Sequence, residues 1–109
     1  MTYRVRLSHQ AQIQLFNHAD WWSQRRSLEE AAEWLVGIEA AMRGLSSNPE
    51  RHGYAPEADR YGVEVRQLNY GLRRKKTHRA VFVIRENEVV VIAIRHLAQD
   101  DLSIVEIRS

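Results

Sequence analysis

Residues 63–96 read VEVRQLNYGLRRKKTHRAVFVIRENEVVVIAIRH. Two apolar runs, AVFVI (80–84) and VVVIAI (89–94), flank Arg85-Glu86-Asn87-Glu88. Runs of this length, rich in valine and isoleucine, predict strands over Thr77–Arg85 and Glu88–Leu97, joined by a two-residue hairpin turn at Glu86-Asn87. That turn sets Arg85 opposite Glu88 as an opposite-charge pair. Strict alternation from this register puts Val81, Val83, Val90, Ile92 and Ile94 on one face, with Arg79 and His96 farther along it. Phe82, Ile84, Val89 and Val91 go to the other. Both faces are apolar. One is expected to pack on helices. The other needs a second cover, and no remaining segment is suited to supply it, so it is expected to meet a partner.

Upstream of the hairpin, Val63–Leu68 alternates as a further strand that contains Arg66, and the chain then bends at Gly71. Between Arg66 and Arg79 there are six basic residues (Arg66, Arg73, Arg74, Lys75, Lys76, Arg79) and no acid. The chain carries +2 overall, so the remainder, with ten basic and fourteen acidic residues, is mildly acidic. Such a local field suits a phosphate backbone or an acidic protein segment. The alternative is a solvated edge whose charges keep a sheet from aggregating.

The N-terminal part reads as one strand and two helices. Tyr3, Val5 and Leu7 alternate with Arg4, Arg6 and Ser8. Ser8 can cap a helix beginning at His9, whose Ala11, Leu15, Ala19 and Trp22 form an apolar stripe with Phe16 beside it. Ser27 and Glu30 have capping-box spacing, and Leu28, Ala31, Leu35, Ile38, Met42 and Leu45 form the stripe of a second helix. The short connection predicts an antiparallel helix hairpin. The second helix stops before Asn48-Pro49. Residues 46–62 show no period and read as a long loop. After His96, Asp100-Asp101 can begin a short helix or turn, and Leu102, Ile104, Val105 and Ile107 an extra strand or docked tail. The fold class is therefore α+β, with an N-terminal strand, an antiparallel helix hairpin and a three-stranded antiparallel sheet.

A chain of 109 residues makes one domain, 1–109. It has no cysteine, so neither a disulfide framework nor a thiolate metal site can form. The N-terminus carries Arg4 and Arg6 and lacks the apolar segment of a signal peptide, and no run is long enough to span a bilayer. A cytoplasmic protein that makes no membrane contact is expected. There is no glycine-rich phosphate loop, paired-histidine spacing or nucleophile elbow. No cofactor and no metal is expected, and His9 and His18 read as surface residues rather than ligands.

One constellation carries chemistry. In the hairpin register above, Arg79 and His96 are diagonal neighbours, and Arg66 could reach them from the preceding strand. Metal-free RNA cleavage needs such a set. A base takes the 2′-hydroxyl proton, arginines hold the phosphate as charge grows, and an acid protonates the leaving oxygen. Histidine suits either proton task because its ordinary pKa is about 6.5. The alternative, which the residues taken alone favour, is that Arg66 and Arg79 are strand residues paired with carboxylates and His96 merely ends a strand. Trp21, Trp22 and Trp34 read first as packing residues, and Trp21, which lies off the stripe, has an exposed contact as its alternative.

The pieces YRVRLSHQAQIQL, EAAEWLVGIEAAMRGLSSNP, GVEVRQL, HRAVFVIRENEVVVIAIRH and HLAQDD span nearly the whole chain. In this order they resemble the RelE/ParE superfamily of toxins from type II toxin–antitoxin systems. The resemblance implies a compact α+β toxin, inhibiting growth or stabilising a plasmid, and held inactive in a hetero-oligomer with a cognate antitoxin. The antitoxin tail would cover the second sheet face at Val81 and Val83, and its carboxylates would meet Arg73, Arg74, Lys75 and Lys76. RelE-like members cut mRNA on the ribosome with arginine, lysine and a residue near the end of the last strand. ParE-like members inhibit DNA gyrase and lack that set. Here Arg66, Arg79 and His96 match the RelE-like positions. Leu97-Ala98-Gln99-Asp100-Asp101, however, brings neither tyrosine nor arginine, and its carboxylates repel RNA. The implied function is a non-enzymatic, ParE-like inhibitor of gyrase. The alternatives are a ribosome-dependent endoribonuclease using Arg66, Arg79 and His96, or a non-toxic module that only binds antitoxin.

Overall fold

Ser8 ends the first strand and starts the first helix. In the computed structural model, which describes residues 2–108, strand β1 (Arg4–Leu7) runs into helix α1 (His9–Arg25). The Ser8 hydroxyl accepts from the Ala11 amide at 3.1 Å, as an N-cap should. Ser27 likewise caps helix α2 (Leu28–Arg43), accepting from the Glu30 amide at 3.0 Å. A short helix α3 (Pro56–Tyr61) follows, then strands β2 (Arg66–Tyr70), β3 (His78–Arg85) and β4 (Glu88–His96) and a C-terminal helix α4 (Ile104–Arg108).

The sheet has four strands in the order β1-β4-β3-β2. The expected three-stranded antiparallel sheet is present, and β1 joins it parallel to β4, with Arg4 opposite Glu88 and Leu7 opposite Val91. Arg85 lies opposite Glu88, as the turn at Glu86-Asn87 requires, with Glu86 at φ 53°. The second strand begins later than its valines suggest, because the Val65 carbonyl instead accepts from the Ala55 amide at 2.9 Å.

Strict alternation fails in β4. Val81 lies opposite Ala93, but Phe82 lies opposite Val91, so Ile92 is an extra residue, a β-bulge. One inserted residue exchanges the two faces for everything beyond it. Ala80, Phe82, Val89, Val91 and Ile94 pack in one cluster with Ala11, Leu15, Trp34 and Ile38 of the helix hairpin. Val81, Val90, Ile92 and Ala93 lie on the opposite face. The expectation that Ile94 shares a face with Val81 is thereby corrected.

The bulge is held by α1. Among the described residues, no strand beyond Leu7 pairs with the outer edge of β4, and its polar groups are met by Ser8 and α1 instead. The Val91 carbonyl accepts from the Ser8 amide at 2.9 Å. The Ile94 amide donates to Gln14 Oε1 at 2.8 Å, and the Ile94 carbonyl lies 3.2 Å from His18 Nε2. A strand edge left bare would cost unpaired backbone groups, and here helix side chains satisfy it.

The second sheet face is not bare, which corrects the expectation that only a partner could cover it. Ala55, Val65, Leu102 and Ile107 close over Val81, Val90, Ile92 and Ala93. The cover comes from the segment read as a loop, which holds α3, and from the tail that docks as α4. The signals for α3 were Pro56 at its first turn and Gly62 at its end, the latter at φ 65°. Six residues are too few to show a period. Leu28 of the expected stripe and Phe16 beside the other stripe are exposed instead, and Trp34 takes the central buried place on α2.

Gly71 is required by close approach. A Cβ there would lie 2.0 Å from the carbonyl oxygen of Lys75, a backbone atom that cannot rotate away. Gly71→Ala is therefore expected to destabilise the fold by about 1–3 kcal/mol, the range for forced overpacking. The urea midpoint measures this, and Gly44→Ala, with open space around it, is the neutral control.

Candidate functional site

The bulge decides where the three candidate residues go. Arg66 lies opposite Phe82. Its guanidinium donates to the carbonyls of Glu50 and His52 at 3.1 and 2.6 Å and sits 4.1 Å from the Tyr54 ring centre. His96 lies opposite His78, on the helix side of the sheet. Arg79 lies opposite Arg95 and Asn69, on the other side. Arg79 and His96 are thus on opposite faces. Arg66 shares the helix side with His96, but its guanidinium is bound at the far end of β2. The expected convergence of Arg66, Arg79 and His96 does not occur: the bulge puts Arg79 and His96 on opposite faces, and Arg66 is held by the Glu50 and His52 carbonyls.

Arg79 is committed elsewhere. It forms a bidentate pair with Glu57 of α3, at 2.9 and 2.6 Å, and donates to Gln67 Oε1 at 3.1 Å. Asp101 stands 4.0 Å away. Glu57 is fully buried and also accepts from the Leu102 amide at 2.8 Å. Burial pushes the Glu57 carboxyl up, but the Arg79 hydrogen bonds and the Leu102 amide outweigh it and hold the group below its ordinary range. This pair ties α3, β3 and the tail together. Sequence reading missed Glu57, because a carboxylate in an aperiodic segment gives no local sign of burial.

A second group does converge, at the end of the sheet where β4 finishes. His78 of β3 meets His96 of β4 and His18 of α1, with ring centres 5.0 and 4.8 Å apart, and Trp34 of α2 lies 5.0 Å from His78. His78 is buried, and its Nδ1 is 2.8 Å from the Thr77 hydroxyl. The expectation of a surface role for His18 is corrected: it is half-buried and bonded to β4. The cluster lines an open cavity of about 520 Å³ that also reaches Gln14, Trp21 and Gln99. Among the described residues, no group of three or more His, Asp or Glu is arranged to hold a metal ion.

Burial, then the neighbouring His18 and His96, press the His78 pKa down to about 3. Burial also lowers His18 and His52. A histidine whose folded-state pKa lies below its unfolded value of 6.5 binds fewer protons when folded. Its contribution to stability is complete above pH 6.5 and is lost as pH falls towards 3. The melting temperature is expected to drop between pH 7 and pH 5. His78→Phe, which keeps a ring but cannot titrate, is expected to flatten that slope, leaving only the smaller part due to His18 and His52. Melting scans across this range check it.

The basic loop adjoins the same end of the sheet, where the Leu97 amide donates to the Thr77 carbonyl at 2.8 Å. Arg73 is drawn to Glu30 and Glu33 of α2, at 3.4 and 3.8 Å. Arg74, Lys75 and Lys76 are exposed. Val83 is half-buried, whereas Val81 is wholly covered by the chain's own tail and α3, so it is not free to meet a partner. The apolar side chains that do reach solvent include Ile13, Phe16, Leu28 and Val36 on the helix hairpin. No helix is long and apolar enough to cross a membrane among the described residues.

This order of strand, helix hairpin and mixed sheet has counterparts. The family model described as ParE toxin of type II toxin-antitoxin system, parDE, matches residues 5–101. The chain belongs to the ParE toxin family. A solved chain from "Chromosomal ParDE TA system from P. aeruginosa" shares the fold, with a TM-score of 0.68 and 17% identity, over 87% of this chain and 96% of that one. No curated protein sequence matches. As a ParE-family toxin, the chain has a type II toxin–antitoxin system as its setting, which implies an antitoxin as partner. The tie between Arg79 and Glu57 runs through the matched region, and α4 lies beyond it.

Proposed function

We propose that this single-domain toxin arrests growth by binding DNA gyrase without cutting RNA, and that a cognate antitoxin neutralises it in a hetero-oligomer. The observation that carries this reading is the commitment of Arg79. Cleavage of RNA needs cations free to hold a phosphate beside a proton-transferring group. Arg79 is 4% exposed and held bidentately by Glu57, on the sheet face away from His96. Arg66 is bound to backbone carbonyls. Membership of the ParE family points the same way, towards the gyrase-inhibiting rather than the RNA-cutting branch of the superfamily.

In this reading the antitoxin covers the exposed apolar side chains of the helix hairpin. Phe16 and Leu28 are 61% and 78% exposed there, with Ile13 and Val36 beside them in sequence order. The exposed Arg74, Lys75 and Lys76 offer a complementary field to acidic residues of that partner. In this arrangement Val81 keeps its place in the core, and Arg73 remains an intramolecular contact.

Induction of the chain in a bacterium tests the reading. Colony counts are expected to fall by orders of magnitude, with DNA breaks accumulating and messages intact, and co-expression of the antitoxin should restore growth. His96→Ala is expected to leave the arrest unchanged. Cut messages, or rescue of growth by His96→Ala, would replace inhibition with ribonuclease action. Growth unaffected at high soluble expression would leave only a module that binds antitoxin.

A further inference from the structure

The cavity beside His18 and His96 is built to an unusual plan. Several of its side chains have one polar end locked by backbone and the other end uncommitted. Gln14 Oε1 accepts the Ile94 amide at 2.8 Å, and Gln99 Oε1 accepts the His96 amide at 2.7 Å. Each amide therefore keeps its NH2 donor unused among the described residues. The Ala98 amide donates to His96 Nδ1 at 3.0 Å. A backbone N–H can only donate, so that nitrogen is unprotonated and the neutral ring carries its hydrogen on Nε2. His18 Nε2 faces the Ile94 carbonyl at 3.2 Å, which can only accept, so its Nδ1 is left as an acceptor. The cavity thus offers three fixed donors and one fixed acceptor, set by backbone rather than by mobile loops.

Its other walls are Trp21 and His78, together with Asn17, Ile94 and Arg95. Trp21 is 44% exposed and borders the cavity, with the Arg25 guanidinium 5.1 Å from its ring centre. His78 lies behind. No carboxylate lines the cavity, in a chain with fourteen acidic residues. A planar ring that presents several acceptors and few donors, and that carries negative charge nearby, satisfies all of these features. A volume of about 520 Å³ is in the range of small-ligand sites. The exposed Arg74, Lys75 and Lys76, in the loop joined to β4 through Thr77 and Leu97, supply cations at the same end of the sheet.

We infer that this cavity takes one unpaired nucleotide, its base against Trp21 and its edge read by Gln14, His18, His96 and Gln99, with the phosphate towards the basic loop. Bases stack on aromatic side chains with little sequence preference, and basic grooves hold the backbone. A duplex cannot place a base there without unpairing it. The inference does not rest on the gyrase reading. The nucleotide is either free or a unit of a single strand.

Fluorescence anisotropy of the purified chain tests it, with a labelled single-stranded DNA hexamer, the same sequence as a duplex, and unlabelled AMP and UMP as competitors. The single strand is expected to bind more tightly than the duplex. Trp21→Ala should weaken binding about 5- to 150-fold, the span for one lost stacking partner, and Trp21→Phe should restore most of it. Gln99→Ala, an exposed position, should weaken it with the fold unchanged by circular dichroism. Competition by AMP or UMP at similar concentration assigns a free nucleotide, and far tighter binding of the hexamer assigns a strand. Equal binding of single strand and duplex, or affinity indifferent to both Trp21→Ala and Gln99→Ala, overturns the inference. Trp21→Ala can abolish this binding while inhibition of gyrase persists, so the two readings fail separately.

Discussion

Arg79→Ala is expected to destabilise the fold by about 3–5 kcal/mol, the cost of leaving one member of a buried ion pair uncompensated. The whole stability of a domain this size is about 5–15 kcal/mol, so the urea midpoint should collapse or the chain should fail to accumulate. The reason lies in Glu57, which is fully buried and would keep only backbone amides, those of Leu102 and of Glu57 itself, as donors. The effect should depend on pH with a definite sign. In the parent chain the Glu57 carboxyl is held below its ordinary 4.5, so its stabilisation is present above that pH and is lost as pH falls further. Without Arg79, burial is opposed only by the backbone amides of Leu102 and Glu57, and the carboxyl pKa moves up. Acidification then neutralises the stranded charge, and the penalty of Arg79→Ala should shrink towards pH 4. Replacing both partners, Arg79→Met with Glu57→Leu, should recover most of the stability, as apolar substitutes for buried pairs do. A single variant that melts like the parent would show that the pair does not hold α3 to the sheet.

Ending the chain after Gln99 is expected to abolish cooperative folding. The lost segment contains Leu102 and Ile107, which close the second apolar layer over Val81, Val90, Ile92 and Ala93. Fully burying each such side chain is worth about 1.5–3 kcal/mol. The Tyr61 hydroxyl, which donates to the Leu102 carbonyl at 2.8 Å, loses its acceptor, and Glu57 loses the Leu102 amide. The truncated chain should bind a hydrophobic dye and show a broad melt. Leu102→Ala alone should cost about 2–5 kcal/mol, which the urea midpoint can read even if the truncation does not accumulate. A truncated chain as stable as the parent would mean that a partner, not the tail, is the natural cover of this face.

These results bear on how much of the molecule can be read from residues. The helix caps were legible, because Ser8 and Ser27 are followed by helical periods and act locally. The hairpin turn was legible from Arg85 and Glu88. The packing role of Trp34 was legible from its residue type on a helix, although it lies outside the expected apolar stripe. The bulge at Ile92 was not legible. It depends on how β4 is satisfied by Ser8, Gln14 and His18, residues about eighty positions away. The misplacement around His96 descends from that one residue: Arg79 and His96 were given the same face, and His78 was overlooked as the partner of His96. α3 was hidden for another reason. Its six residues show no period, and its central feature, Glu57, is a charge that only the fold buries. Cover for the second face was missed because it comes from two short segments, neither apolar enough to declare itself.

We propose that this ParE-family fold inhibits gyrase and does not cut RNA, and that proposal is open to a direct test. A supercoiling reaction with purified gyrase and relaxed plasmid measures it most directly, run beside a translation reaction programmed with a defined message. The account predicts that micromolar toxin blocks supercoiling or traps cleaved plasmid, that added antitoxin reverses this, and that the message stays whole. Unimpeded supercoiling together with a message cut only when His96 is present would contradict it.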